Sequence, residues 1–208
     1  MSSQFRRICL ANFFLFISVY LLFPVLPVAM ANQLDVTIAE AGYLFVFMIT
    51  GRIMAGLFVN YLVDAFKRKY LCITSLTIML IATAVYWAID TKTEALLVAF
   101  IQGVSFGVIS ASLITVSIDI TPSEYRNKAN VILGWTTRLA MLIGIGTGSF
   151  LFQNTGFLNI IYASLLCGSI AIISLFLLKI PFRAPIGSAL ISFDRFLLPR
   201  GWVLSVNM

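Results

Sequence analysis

Two arginines stand inside runs that are otherwise almost wholly apolar, and they are where this sequence can do chemistry. Arg52 lies within Ala41–Val63 and Arg138 within Val131–Phe152. Arg52 precedes Asp64 by twelve positions, roughly 18 Å of helix rise, which puts it near mid-bilayer if the run is a membrane helix. Arg138 is seven residues into its run, roughly 10 Å deep. A cation at such depth costs at least ~2.5 kcal/mol unless it faces water or a partner. No Asp or Glu lies deep in any apolar run, so the two arginines are expected to face a wet cavity. The planar guanidinium fork matches carboxylate or phosphate, which points to an anionic small-molecule substrate. The alternatives are backbone carbonyls, an acid on another part of the assembly or, for Arg138, a reach towards the interface.

Other chemistries are excluded. The chain has no His, so histidine catalysis and His metal sites are absent. Cys9, Cys72 and Cys167 each sit alone in an apolar run, without C-x-x-C or metal-ligand spacing, and read as buried thiols. Ser105, Ser110, Ser112 and Ser117 fall in one run with no base to activate them. No catalytic residue, metal or cofactor is expected, and the chain is not read as an enzyme. The net charge of +6 is not gathered on a soluble module, which argues against nucleic acid as a partner.

The elements that must position these residues follow from hydropathy. Of 208 residues, 61% are hydrophobic and 11% charged, with a mean hydropathy of +1.02. A soluble domain is nearer half apolar and a quarter charged. A hydrocarbon core about 30 Å thick takes ~20 helical residues, and six runs qualify: Ile8–Met30, Ala41–Val63, Tyr70–Ile89, Ala95–Ile118, Val131–Phe152 and Leu158–Leu178. They do not alternate as barrel strands do, and a single span satisfies its backbone only as a helix. The expected fold is an all-α integral membrane bundle of six transmembrane helices over residues 1–180, with a tail over 181–208. Leu190–Leu198 in that tail reads as a short amphipathic helix. Pro24 and Pro27 should kink the first span near its outer end. Gly103-x-x-x-Gly107 and Gly144/Gly148 should allow close helix approach.

Orientation follows from charge. Arg6, Arg7, Lys67–Lys69, Arg126, Lys128, Lys179, Arg183, Arg195 and Arg200 all fall on one side, against Lys92 alone on the other. By the positive-inside rule both termini are cytoplasmic, in a multi-pass protein of the cytoplasmic (inner) membrane. Arg6-Arg7, an apolar run and Ala29-Met30-Ala31 imitate a signal peptide, but the run is too long for a signal core and five more spans follow.

The gap between the second and third runs reads Asn60-Tyr61-Leu62-Val63-Asp64-Ala65-Phe66-Lys67-Arg68-Lys69. It resembles the signature loop of the major facilitator superfamily, Gly-x-Leu-Ala-Asp-Arg-x-Gly-Arg-Lys, through Leu62, Asp64, Arg68 and Lys69. Asn60, Ala65 and Lys67 depart from it. Pro122, Glu124, Arg126 and Ala129 are similar to the family's turn between spans four and five. Gln102-Gly103, with Ala99 where an Arg is usual, resembles a span-four motif. Gly134, Gly144 and Gly148 resemble its glycine-rich fifth helix.

The resemblance implies a secondary transporter of twelve spans in two halves. This chain corresponds to the first half, itself two inverted three-helix repeats, with the start of the middle loop. It implies alternating-access transport of a small solute, with a second six-helix half as partner in the lipid bilayer. A non-transporting fragment and a half-size homodimer are the alternatives. It places spans one and four on the cavity, making Asn12, Tyr20 and Gln102 candidate substrate contacts beside Arg52 and Arg138, with helix–helix hydrogen bonding the favoured role of Asn12. It assigns Asp64 and Arg68 to a cytoplasmic gate, to which Lys69, Asp119, Glu124 and Arg126 are added as charged groups at neighbouring helix ends.

Overall fold

A computed structural model of the chain describes residues 3–180 together with 190–191. Among the described residues all regular structure is helical: α1 (Ser3–Leu22), α2 (Leu26–Leu34), α3 (Ile38–Ala41), α4 (Tyr43–Ala65), α5 (Arg68–Val85), α6 (Lys92–Ile120), α7 (Arg126–Thr155) and α8 (Phe157–Phe176), with single 3-10 turns at Tyr86–Ala88 and Ser123–Tyr125. Six of these are long and apolar enough to cross a membrane: α1, α4, α5, α6, α7 and α8 are spans one to six. The helix expected over 190–198 lies outside the described residues.

Local chemistry explains most boundaries. The first apolar run is one stretch in sequence but two helices in space. Pro24 lacks an N–H, and its ring would clash with a helical carbonyl one turn back, so the chain turns between Leu22 and Leu26. Pro27 then falls in the first turn of α2, where a missing N–H matters little. Capping boxes start α3 (Thr37 with Glu40) and α6 (Thr91 with Glu94), each satisfying two orphan N–H groups. That box carries α6 one turn beyond its apolar run, to 29 residues. Lys92 Nζ reaches Glu40 Oε1 at 2.9 Å and ties the two caps together. Gly156, at φ 82°, breaks α7 from α8 in a conformation that residues with a β-carbon avoid.

The helices pack with internal symmetry. α1 packs on α7 and α8, α6 packs on α4 and α5, and α5 meets α8. Exchanging α1 with α6, α4 with α7 and α5 with α8 maps this pattern onto itself. Burial follows the same exchange. Of the most apolar stretch, 61% is buried in both α1 and α6, but only 28% in α4 and 22% in α7. Two repeats of three crossings each necessarily run in opposite directions through the membrane. The fold is therefore two inverted three-helix repeats, with α1 and α6 central and α4 and α7 flanking.

Lipid tails supply no hydrophobic drive between helices, so close packing must hold them. The glycines provide it. A β-carbon on Gly103 would overlap the Met48 carbonyl, and one on Gly107 would lie 2.7 Å from Ala55 Cβ. On α7, a β-carbon on Gly144 would lie 2.9 Å from Tyr20 Cβ, and one on Gly148 would overlap the Leu21 carbonyl. Gly134 and Gly146 face open space. Polar ties join the other pairs. The Ser18 and Ser164 hydroxyls each donate to the other's carbonyl, at 2.8 and 2.7 Å, between α1 and α8.

Gly103→Ala or Gly148→Ala should therefore lower stability by about 1–3 kcal/mol, as overpacking does. Gly146→Ala should be neutral or stabilising by up to ~1 kcal/mol through helix propensity. Thermal unfolding of the purified protein in detergent checks both.

Candidate functional site

One site lies on the face formed by α1, α4 and α6. Gly107 draws α4 close: its absent β-carbon leaves 3.1 Å to the Arg52 carbonyl oxygen and 3.3 Å to Arg52 Cα. The Arg52 guanidinium then lies over the neighbouring Phe106 ring, 4.9 Å from its centroid. Such a contact is worth about 0.5–2 kcal/mol. It orients the group without using its five donors. Arg52 remains exposed and Phe106 is buried.

From Phe106 the aromatic contacts continue. Phe16 meets it edge-on at 5.4 Å, Tyr20 stacks on Phe16 at 6.1 Å, Phe23 follows at 5.4 Å and Phe45 stacks on Phe23 at 4.5 Å. The row leaves α4 at Phe45 and returns to it at Arg52, seven residues and two turns later on nearly the same face. The rings nearest the cation, Phe106 and Phe16, are buried, while Tyr20, Phe23 and Phe45 are partly open; the exposed guanidinium beside this row can take an anion.

The expected substrate contacts are not all brought to this row. Tyr20 and Arg52 are. Asn12 is buried, and its amide donates to Thr137 Oγ1 at 2.7 Å, joining α1 to α7. Gln102 is buried between α5 and α6, accepting from the Tyr86 hydroxyl and donating to the Thr83 hydroxyl, both at 3.0 Å. Both amides are committed to helix–helix bonds. Arg138 is exposed on α7 beside an exposed Trp135. Phe23, Phe45 and Phe106 were not singled out from sequence. The spacing of Phe16, Tyr20 and Phe23, one turn apart each, carried the signal for part of the row.

The second site is the basic end of the bundle. Arg68, in the first turn of α5, pairs with Asp119 at the end of α6, and the Asp119 side chain is only 2% exposed. Asp64 is half-buried at the end of α4. Glu124 is exposed in its 3-10 turn, and Arg126 is half-buried at the start of α7. Neither forms an ion pair among the described residues. Lys69 turns the other way, its Nζ donating to the carbonyls of Phe176 at 2.6 Å and Leu178 at 3.0 Å. The six gate candidates therefore do not form one cluster.

A family model described as Major Facilitator Superfamily matches residues 8–203. The chain belongs to that family. It is 25% identical over 179 residues to Multidrug resistance protein 1 of Bacillus subtilis (strain 168), an alignment covering 86% of this chain and 46% of the relative. The chain thus spans about half the length of the curated relative it matches. The family assignment and the six helices make this a multi-pass membrane protein.

Removing one member of the Arg68–Asp119 pair leaves a largely buried charge without its counter-ion, at a cost of about 3–5 kcal/mol. Asp119→Asn and Arg68→Gln should each be strongly destabilising. Arg68→Met with Asp119→Leu should recover most of the loss, as read by thermal unfolding of the four proteins.

Proposed function

We propose that this chain is the first half of a secondary transporter that carries a small, anionic solute by alternating access. The observation that carries the proposal is Arg52: exposed on the α1–α4–α6 face, set against a row of rings, with no carboxylate deep in any span among the described residues. Arg138, exposed on α7, supplies a second cation on the same reading. The name of the Bacillus relative supports transport of small molecules. It does not fix the sign of their charge here, and the arginines favour anions.

The flanking helices α4 and α7 are the least buried and are the surfaces a second six-helix half would cover. A second copy of this chain would bring further arginines to that face and no carboxylate at their depth, so a different half is the better partner. The Arg68–Asp119 pair, at the end of the bundle that also carries Asp64, Glu124 and Arg126, supports a gate there, where ion pairs form in one state and part in another. That end faces the cytoplasm of an inner membrane by the positive-inside rule.

Vesicles carrying the chain, alone and together with the remaining part of the Bacillus relative, can be screened with aromatic carboxylates and aromatic amines. Movement of a carboxylate is expected, with Arg52→Ala and Arg138→Ala each cutting the rate about tenfold or more, the equivalent of one lost charge-assisted hydrogen bond. Normal rates in both variants refute the arginine assignment. Movement of amines alone refutes the anionic class. Cysteines placed at 67–69 should resist a membrane-impermeant reagent in intact cells, and ready labelling refutes the orientation.

A further inference from the structure

The carboxyl end of α8 closes with two backbone bonds, from the Leu177 N–H to the Ile173 carbonyl and from the Leu178 N–H to the Leu175 carbonyl, but it has no side-chain cap of its own. Its last turn contains no basic residue, and it ends at Leu177 in a right-handed conformation without a glycine. Three successive carbonyls beyond the helix hydrogen-bond ladder would be left bare, at the negative end of the helix dipole. Other helices supply all three. Lys69 Nζ donates to the Phe176 and Leu178 carbonyls, and Arg7 Nη1 donates to the Leu177 carbonyl at 2.5 Å. The Lys179 N–H donates to Gln4 Oε1 at 3.1 Å, one step further along the chain.

The start of α5 has the opposite problem. Arg68 and Lys69 occupy its first turn, with no acid there, although that end of a helix favours anions. Each cation therefore needs an acceptor outside its own helix. Arg68 finds Asp119 on α6. Lys69 finds the carbonyl end of α8. Neighbouring residues on a helix point about 100° apart, so adjacent side chains can serve two different helices.

We propose that Lys69 and Arg7, with Gln4, form a static clasp that caps α8 and fixes the direction in which the chain leaves the six-helix unit. Lys69 is then a positioning residue and not a moving part of the gate. The clasp joins α1 and α5 of the first repeat to the last helix of the second, so the repeats are held together at this end whatever the state of the Arg68–Asp119 pair. The assignment is independent of what the protein carries.

Hydrogen exchange of the full chain in lipid nanodiscs, read by mass spectrometry, tests it. Lys69→Met should speed exchange of amides 174–180 about tenfold, the loss of a charge-assisted bond to a carbonyl. It should leave amides 115–121 at the end of α6 unchanged. Lys69→Arg, which keeps the donors, should restore protection to within about threefold. Asp119→Asn should give the converse pattern, loosening 115–121 more than 174–180. Arg7→Met provides a second, milder opening of 174–180 should Lys69→Met unfold the chain. Unchanged exchange at 174–180 in both Lys69→Met and Arg7→Met overturns the clasp. So does failure of Lys69→Arg to restore protection, or loosening of both regions together in Lys69→Met.

Discussion

A bilayer interior offers a helix no water for its polar groups and no hydrophobic gain from leaving lipid for another helix. What remains is surface fit, and glycines supply much of it: two pairs, with Gly51 against the Phe100 carbonyl and Gly168 against Leu80 beside them. Gly103 and Gly107 admit the backbone of α4, and Gly144 and Gly148 admit that of α1. The positions that matter for chemistry are set by these contacts. Gly107 presses directly on the backbone of Arg52, and Gly144 lies against the β-carbon of Tyr20. The cation therefore comes to rest over the ring next to its glycine, and the tyrosine joins the aromatic row. Widening either approach by one methyl group would shift a helix axis, and the side chains of the row would move with it.

The two helix pairs, α4 with α6 and α7 with α1, correspond under the internal exchange of repeats, although their glycines do not, lying on the central helix α6 in one pair and on the flanking helix α7 in the other. A glycine-bearing helix of the second repeat receives a helix of the first in both cases, α6 taking α4 and α7 taking α1. Each repeat is thereby completed by the other, since neither α1 nor α6 finds its main partners only within its own three helices. This interlocking accounts for the burial pattern. The central helices are covered from several sides, while α4 and α7 spend one stripe on a partner and leave the rest of their surface apolar and open. On α7 the buried residues reduce to Ala129, Leu133, Ala140, Gly144 and Gly148, a single stripe along the helix.

What could be read from sequence follows from which forces act locally. Long apolar runs fix six crossings because each helix satisfies its own backbone. Glycines four apart announced close packing, and the structure supplies their partners. Pro24 announced a bend, though not that the helix would break and restart at Leu26. Boundaries slipped where polar capping overrides hydropathy, as at Thr91 and Glu94, which carry α6 past its apolar stretch. Contacts between distant residues were not legible. Asn12 with Thr137, Gln102 with Thr83 and Tyr86, and Arg7 with Leu177 depend on the helices' rotations about their axes. Hydropathy does not encode those rotations when nearly every face is apolar. Asn12 and Gln102 were cavity candidates through the family resemblance, with helix–helix bonding the favoured role of Asn12, and both amides bond to neighbouring helices. A polar side chain at depth must bond to something, and a neighbouring helix meets the need as well as a solute does.

The charged end shows how much one short connection can carry. Between α4 and α5 the chain has only Phe66 and Lys67 outside helix, so the end of one helix and the start of the next are held close together. Two cations in the first turn of α5 oppose its dipole, a locally unfavourable choice that persists because each has an acceptor on a different helix. Arg68 is matched by a nearly inaccessible carboxylate and Lys69 by bare carbonyls. The chemistry of these acceptors differs in a way that bears on motion. The Arg68–Asp119 pair is made by two side chains, each able to change rotamer without disturbing a helix backbone. Backbone carbonyls at the end of a helix cannot be neutralised or exchanged without unwinding the turn that carries them, which suits a contact that stays.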